Sequence, residues 1–171
     1  MLISPVPLFL LLCLLLNLLL FMLNVVSLNC KGLRDNAKRQ ALFFLLKSKN
    51  IDIIFLQETH VDCLSLAKQY SNEWGGKCYF SFGGFHSSGV GILFRKNFAF
   101  QEKSFQFDND GRLLCLNIIV NNECYKLVNI YAPNNEKDRK LFFNSLDTVL
   151  QGKMNKILCG DFNMVENIAL D

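Results

Sequence analysis

The chain of 171 residues is of single-domain size, and 51% apolar with 12% aromatic content is enough to fill one hydrophobic core, which excludes a largely disordered chain. A formal charge of +3 permits a nucleic-acid or other phosphate-bearing partner but is too small to argue for one. The cysteines, Cys13, Cys30, Cys63, Cys78, Cys115, Cys124 and Cys159, are odd in number and scattered, with no pair at zinc-knuckle or redox spacing, so they read as free thiols in a reducing compartment.

No side-chain charge occurs before Lys31, and Val6 to Leu23 is an almost purely Leu and Phe stretch of membrane-spanning length. Three readings stand: an uncleaved membrane anchor, a signal peptide, or translated sequence upstream of the true start, since Leu, Phe, Ser and Pro share pyrimidine-rich codons. No Lys or Arg precedes the stretch, no small-residue cleavage site follows it, and it merges into a strand-like segment. Residues 1–22 are therefore set apart as a hydrophobic N-terminal segment, and the folded domain is taken as 23–171. An anchor would make the protein membrane-associated, whereas translated upstream sequence would imply a nuclear or cytoplasmic location.

From Leu23 short apolar runs alternate with polar breaks. Leu23 to Asn29 reads as a strand, and Asp35 is placed to cap a helix in which Ala37, Ala41, Leu42, Leu45 and Leu46 recur at three- and four-residue spacing. Ile51 to Leu56 is a continuous buried-strand run that leads into Gln57, Glu58, Thr59 and His60. A second helix is predicted from Val61 to Trp74, stopped by Gly75 and Gly76, and then strands at Lys77 to Phe82 and Gly89 to Phe94 across a Gly- and Ser-rich loop. Phe100 to Phe107, Arg112 to Val120 and Glu123 to Tyr131 follow as strands divided by Asn109-Asp110-Gly111 and Asn121-Asn122. Cys115 and Cys124 flank that last turn, and a disulfide between them is an alternative to free thiols. Asn135 caps a third helix with Leu141, Phe142, Leu146, Val149 and Leu150 on one face, and Lys156 to Cys159 is the final strand, opening into Gly160-Asp161-Phe162-Asn163. Antiparallel neighbours with a few intervening helices indicate an α+β sandwich rather than a doubly wound parallel sheet.

Four strand ends present polar groups: Asn29, Glu58, Tyr131 with Asn129 before it, and Asp161 with Asn163. Metal-assisted phosphodiester hydrolysis needs an acidic ligand for a hard cation, a carboxylate to orient or deprotonate water, and neutral donors for the phosphate, and this set holds each type. Singly, each has a plainer role: Glu58 as a first-turn helix acid, Asn29 and Asp161 as turn residues, Asn163 as a local cap, Tyr131 as a packed aromatic. His60 and His86 read as structural or loop-lining.

In combination, Ser27-Leu28-Asn29 with Gly32-Leu33, Leu56-Gln57-Glu58-Thr59-His60, Asn129-Ile130-Tyr131-Ala132-Pro133-Asn134 and Gly160-Asp161-Phe162-Asn163 resemble the endonuclease/exonuclease/phosphatase (DNase I-like) superfamily. Within it they are similar to the apurinic-like endonuclease domain of LINE-type non-LTR retrotransposons. Ser88-Gly89-Val90-Gly91-Ile92-Leu93 and Asp110-Gly111-Arg112 add supporting matches. The resemblance implies a four-layer α/β sandwich, incomplete at the C-terminus, and a Mg²⁺- or Mn²⁺-dependent DNA endonuclease that works beside a reverse transcriptase domain in the intact element. It implies Glu58 as the metal ligand, Asn29 orienting metal and phosphate, Tyr131 bonding the scissile phosphate, Asp161 activating water and Asn163 positioning that carboxylate. The superfamily's later acidic residue and Ser-Asp-His motif have no counterpart here, so impaired activity is expected. An inactive retroelement remnant and a phosphatase of the same superfamily are the alternatives.

Overall fold

The computed structural model describes residues 23–164, and the hydrophobic segment of residues 1–22 lies outside them. The chain runs through β1 (Val25–Asn29), α1 (Asn36–Lys47), β2 (Ile53–Gln57), α2 (Leu64–Trp74), β3 (Cys78–Ser81), β4 (Val90–Phe94), β5 (Gln101–Phe107), β6 (Leu113–Val120), β7 (Glu123–Tyr131), α3 (Glu136–Val149) and β8 (Asn155–Asp161). These strands form two four-stranded sheets, ordered β1-β2-β4-β3 and β5-β6-β7-β8. Among the described residues no helix is long and apolar enough to cross a membrane.

The strand alternation explains why β2 is apolar on both faces. Ile53 and Phe55 point into the core between the sheets, where they meet Leu114, Leu116, Ile118 and Leu127, while Ile54 and Leu56 face α1 and α2 with Phe43, Leu46, Tyr70 and Trp74. On the far side, Cys115, Val128 and Ile130 of the second sheet pack against Leu146 of α3. The layers are therefore helices, sheet, sheet, helix, the four-layer α+β sandwich expected. Burial of an aromatic or branched aliphatic side chain stabilises by roughly 1.5–3 kcal/mol each, and both faces of the first sheet carry such residues.

Local signals set the helix ends. Asp35 accepts from Lys38 N at 2.7 Å, and Asn135 accepts from Lys137 N and Asp138 N at 2.9 and 3.3 Å. Gly75 ends α2 in the left-handed conformation at φ 80°. The second helix begins at Leu64 rather than Val61, because the preceding backbone is drawn elsewhere: Thr59 N donates to Gly89 O and His60 N to Ser88 O.

Pairing is not antiparallel throughout. β1 runs parallel to β2 and β7 parallel to β8, each pair joined by a helical crossover, α1 and α3 respectively. As a result the C-terminal ends of four strands, which carry Asn29, Gln57, Tyr131 and Asp161, lie at one end of the sandwich. A buried polar bridge ties the sheets there. Gln57 Nε2 donates to Asn129 Oδ1 at 2.7 Å, and Asn129 Nδ2 donates to Leu56 O and Gly91 O at 2.9 and 2.8 Å. The described cysteines are all free; in the β6–β7 hairpin Cys115 lies opposite Val128 and Cys124 opposite Ile119, so register forbids the alternative disulfide.

Candidate active site

Asn29 closes β1, and its side-chain amide joins two carboxylates brought from different sheets. Nδ2 donates to Glu58 Oε1 at 2.7 Å and to Asp161 Oδ2 at 2.8 Å, while Oδ1 accepts from Lys31 N at 3.0 Å. Both ends of the amide are thereby fixed, and two negative groups share one neutral donor.

Glu58 follows β2 with a left-handed backbone, φ 52°, a conformation that costs a non-glycine residue energy. Its carbonyl accepts from Gly32 N at 2.6 Å, which holds the strained turn. The residue lies well ahead of α2, so it is no first-turn helix acid. Its side chain is 24% exposed and reachable from solvent.

Asp161 ends β8. Its other oxygen, Oδ1, accepts from Asn163 N at 3.0 Å, and Asn163 Nδ2 donates to Ala132 O at 2.6 Å. Asn163 therefore touches Asp161 through its backbone, while its side chain ties the turn to the end of β7. The glycine before Asp161 is obligatory: a Cβ on Gly160 would sit 2.2 Å from Ile130 O.

Tyr131 is opposite Asp161 in the parallel register and is nearly buried. Burial raises its pKa, and the charges of Glu58 and Asp161 add to this against the opposing Arg112 guanidinium. The phenol stays protonated and available as a donor. His60 lies beside the cluster with Nε2 at 3.8 Å from Glu58 Oε2, and that nitrogen makes no hydrogen bond among the described residues. Burial lowers the His60 pKa, with Glu58 opposing and His86, Arg34 and Lys38 reinforcing, so the ring is neutral near pH 7.

Asn29, Glu58, Tyr131, Asp161 and Asn163 are thus brought together. Asn129 is not among them; it is fully buried between the sheets as their bridge. The supporting role of Gln57 and Asn129 escaped the sequence reading, although one signal was present. Gln57 follows Ile53 and Phe55 on the inward parity of β2, and Asn129 shares the inward parity of Leu127 and Tyr131.

Among the described residues no three His, Cys, Asp or Glu side chains gather as a metal cluster. The donors present are nonetheless those a hard cation takes. Glu58 and Asp161 supply carboxylate oxygens, and Mg²⁺ commonly binds one or two carboxylates and retains several waters. The cluster can hold such a cation at Glu58, take a proton at Asp161 and offer a hydrogen bond from the protonated Tyr131.

The sequence profile described as the Endonuclease/Exonuclease/phosphatase family matches residues 16–167. The Transposon TX1 uncharacterized 149 kDa protein of Xenopus laevis is 31% identical over 144 residues, which cover 82% of this chain and 11% of that protein. Among solved structures, TDP2 from C. elegans superposes with a TM-score of 0.61 at 25% identity, covering 82% of this chain and 48% of its own. An AP endonuclease from Archaeoglobus fulgidus shares the fold with a TM-score of 0.66 at 19% identity, covering 86% and 60%. The chain spans only part of each of these relatives.

Proposed function

Because this chain belongs to the Endonuclease/Exonuclease/phosphatase family, we propose that it is a metal-dependent phosphodiesterase that nicks DNA, of the retrotransposon type. The observation that carries this reading is the Asn29 amide held between Glu58 and Asp161. A single neutral donor joining two carboxylates keeps them close without neutralising either, which is what a reaction needing a metal ligand and a separate base requires.

Glu58 holds the divalent cation, Mg²⁺ or Mn²⁺, which when bound supplies charge neutralisation at the phosphate. Asn29 fixes the spacing between that ligand and Asp161. Asp161 orients the attacking water and accepts its proton, and the Asn163 backbone N–H keeps the carboxylate from turning away. Tyr131, protonated, donates to a non-bridging phosphate oxygen as charge builds there. The DNA substrate is supported by the transposon relative and by the AP endonuclease fold neighbour. The size of that relative, of which the match spans 11%, supports a larger element, and the LINE-type motifs make a reverse transcriptase domain the partner within it.

The test has two arms. Mn²⁺ binding, read by water-proton relaxation, should weaken at least tenfold in Glu58→Gln. Relaxation of supercoiled plasmid in Mg²⁺ should fall about a hundredfold or more in Asp161→Asn, the loss typical of one preorganised catalytic group. Nicking that survives Asp161→Asn overturns the assignment. Metal binding with no nicking supports the inactive remnant, and phosphate release from small monoesters in place of nicking supports a phosphatase.

A further inference from the structure

The Gly- and Ser-rich segment between β3 and β4 is built as a presenting device. Gly84 N donates to Ser87 O at 2.8 Å and Ser87 N to Gly84 O at 3.4 Å, an antiparallel bridge that leaves Phe85 and His86 as the two residues of a tight turn. Its base is anchored: Gly83 N donates to Val61 O and Gly89 N to Gly111 O. Gly111 can carry no side chain, since a Cβ there would lie 2.6 Å from Gly83 Cα and 2.7 Å from Gly89 N.

A lone exposed phenylalanine carries no meaning. Phe85 is 56% exposed yet braced on several sides. The Arg34 guanidinium lies 3.7 Å from the ring centroid, and Arg34 Nε donates to Phe85 O at 2.9 Å. Arg34 is itself held by Asp62, with Nη2 2.5 Å from Oδ2 in an ion pair. The His86 ring meets Phe85 edge-on, with centroids 4.4 Å apart. The phenyl ring is thus held on a rigid turn with a cation against one face, so another planar group can stack on it at little entropic cost.

The turn is joined to the catalytic cluster. His60 N donates to Ser88 O at 3.1 Å, and its Nε2 lies 3.8 Å from Glu58 Oε2. Lys31, just after β1, and Lys38, in the first turn of α1, flank the same end, exposed and without a carboxylate partner among the described residues. The nearby acids have other work, Asp35 capping α1 and Asp62 holding Arg34. An aromatic face bordered by cations beside a phosphodiester site suits a polymer that carries planar bases on an anionic backbone.

We propose that Phe85 is a base-stacking platform for the DNA strand entering the site, with Arg34 as the residue that positions it. The proposal rests on the phosphodiesterase reading and adds to it where a nucleobase sits. The experiment measures binding of a fluorescently labelled oligonucleotide in EDTA, where no cleavage occurs. Phe85→Ala and Phe85→Leu should each weaken binding roughly tenfold with an unchanged salt slope, since stacking is lost and phosphate contacts remain. Phe85→Trp should restore affinity, and emission from the introduced indole should be quenched by the oligonucleotide but not by polyphosphate; native Trp74 is buried and silent to either. Affinity within twofold of wild type in both Phe85→Ala and Phe85→Leu, or an unquenched indole on a bound oligonucleotide, overturns the platform and leaves the phosphodiesterase reading standing. If the unaltered protein binds no oligonucleotide, the DNA reading and the platform fall together.

Discussion

At the scale of single residues, Asn29 is the side chain with the most to lose. Asn29→Leu keeps the volume but removes the donor shared by Glu58 and Asp161, leaving two carboxylates facing each other without a neutral link. Plasmid nicking should fall about a hundredfold or more, and Mn²⁺ affinity should change with it because the spacing of the pair is no longer held. A variant that retains wild-type values in both measurements would refute the bridging role. Tyr131 gives a prediction in pH. Its pKa is raised above the ordinary value of about 10, so the protonated donor persists through mildly alkaline solution. The ratio of wild-type to Tyr131→Phe nicking rates should stay constant from about pH 7 to pH 9, whereas a tyrosinate acting as a base would make it climb. The sequence made these five residues visible because each stands at the polar end of an apolar run. It did not show that Asn163 reaches Asp161 through its backbone N–H, since a side chain's identity says nothing of which of its atoms will be used.

At the scale of elements, α1 and α2 are pinned together by one buried cation. Arg39 is 3% exposed and meets Glu73 through Nε at 2.6 Å and Nη2 at 3.0 Å, and it donates also to Leu33 O and Asn36 Oδ1. The hydrogen bond from Arg39 holds the Glu73 carboxyl below its ordinary pKa of 4.5, against opposing burial. A depressed folded pKa means that the stabilisation is present above about pH 4.5 and is lost as pH falls through the folded value. Glu73→Gln should therefore destabilise by about 3 kcal/mol at pH 7 in urea titration, because it strands a buried charge. The difference from wild type should shrink below pH 4. An equal deficit at both pH values would sink the linkage. Helix and strand positions were legible within a few residues because caps and apolar periodicity are local, as at Asp35 and Asn135. The two parallel pairings were not, since whether β2 turns to β1 or only to β4 depends on how α1 covers the sheet, and no short window of sequence records that.

At the scale of the whole molecule, the sheets are held in register by apolar packing and by the Gln57–Asn129 bridge. Asn129→Leu removes three hydrogen bonds from a fully buried position, deprives the Leu56 and Gly91 carbonyls of their side-chain donor and leaves Gln57 Nε2 with Ser27 Oγ alone. The expected loss is about 3 kcal/mol in urea titration, with faster amide exchange at the ends of β2 and β7. Retained stability would show that the bridge is ornamental to the packing. The four-layer architecture could be anticipated from the alternation of elements. The turn that presents Phe85 could not, because Gly83, Gly89 and Gly111 come together only after β3, β4 and β6 have been assembled around them. The closing hydrogen bond of the site, from Asn29 to Asp161, spans 132 positions along the chain. During synthesis from the N-terminus, every other element described here can emerge from the ribosome and begin to pack before β8 exists. Asp161, for which we propose the water-activating role, thus joins Asn29 and Glu58 only once β8 has docked against β7, so the candidate site closes late in the assembly of the elements described here.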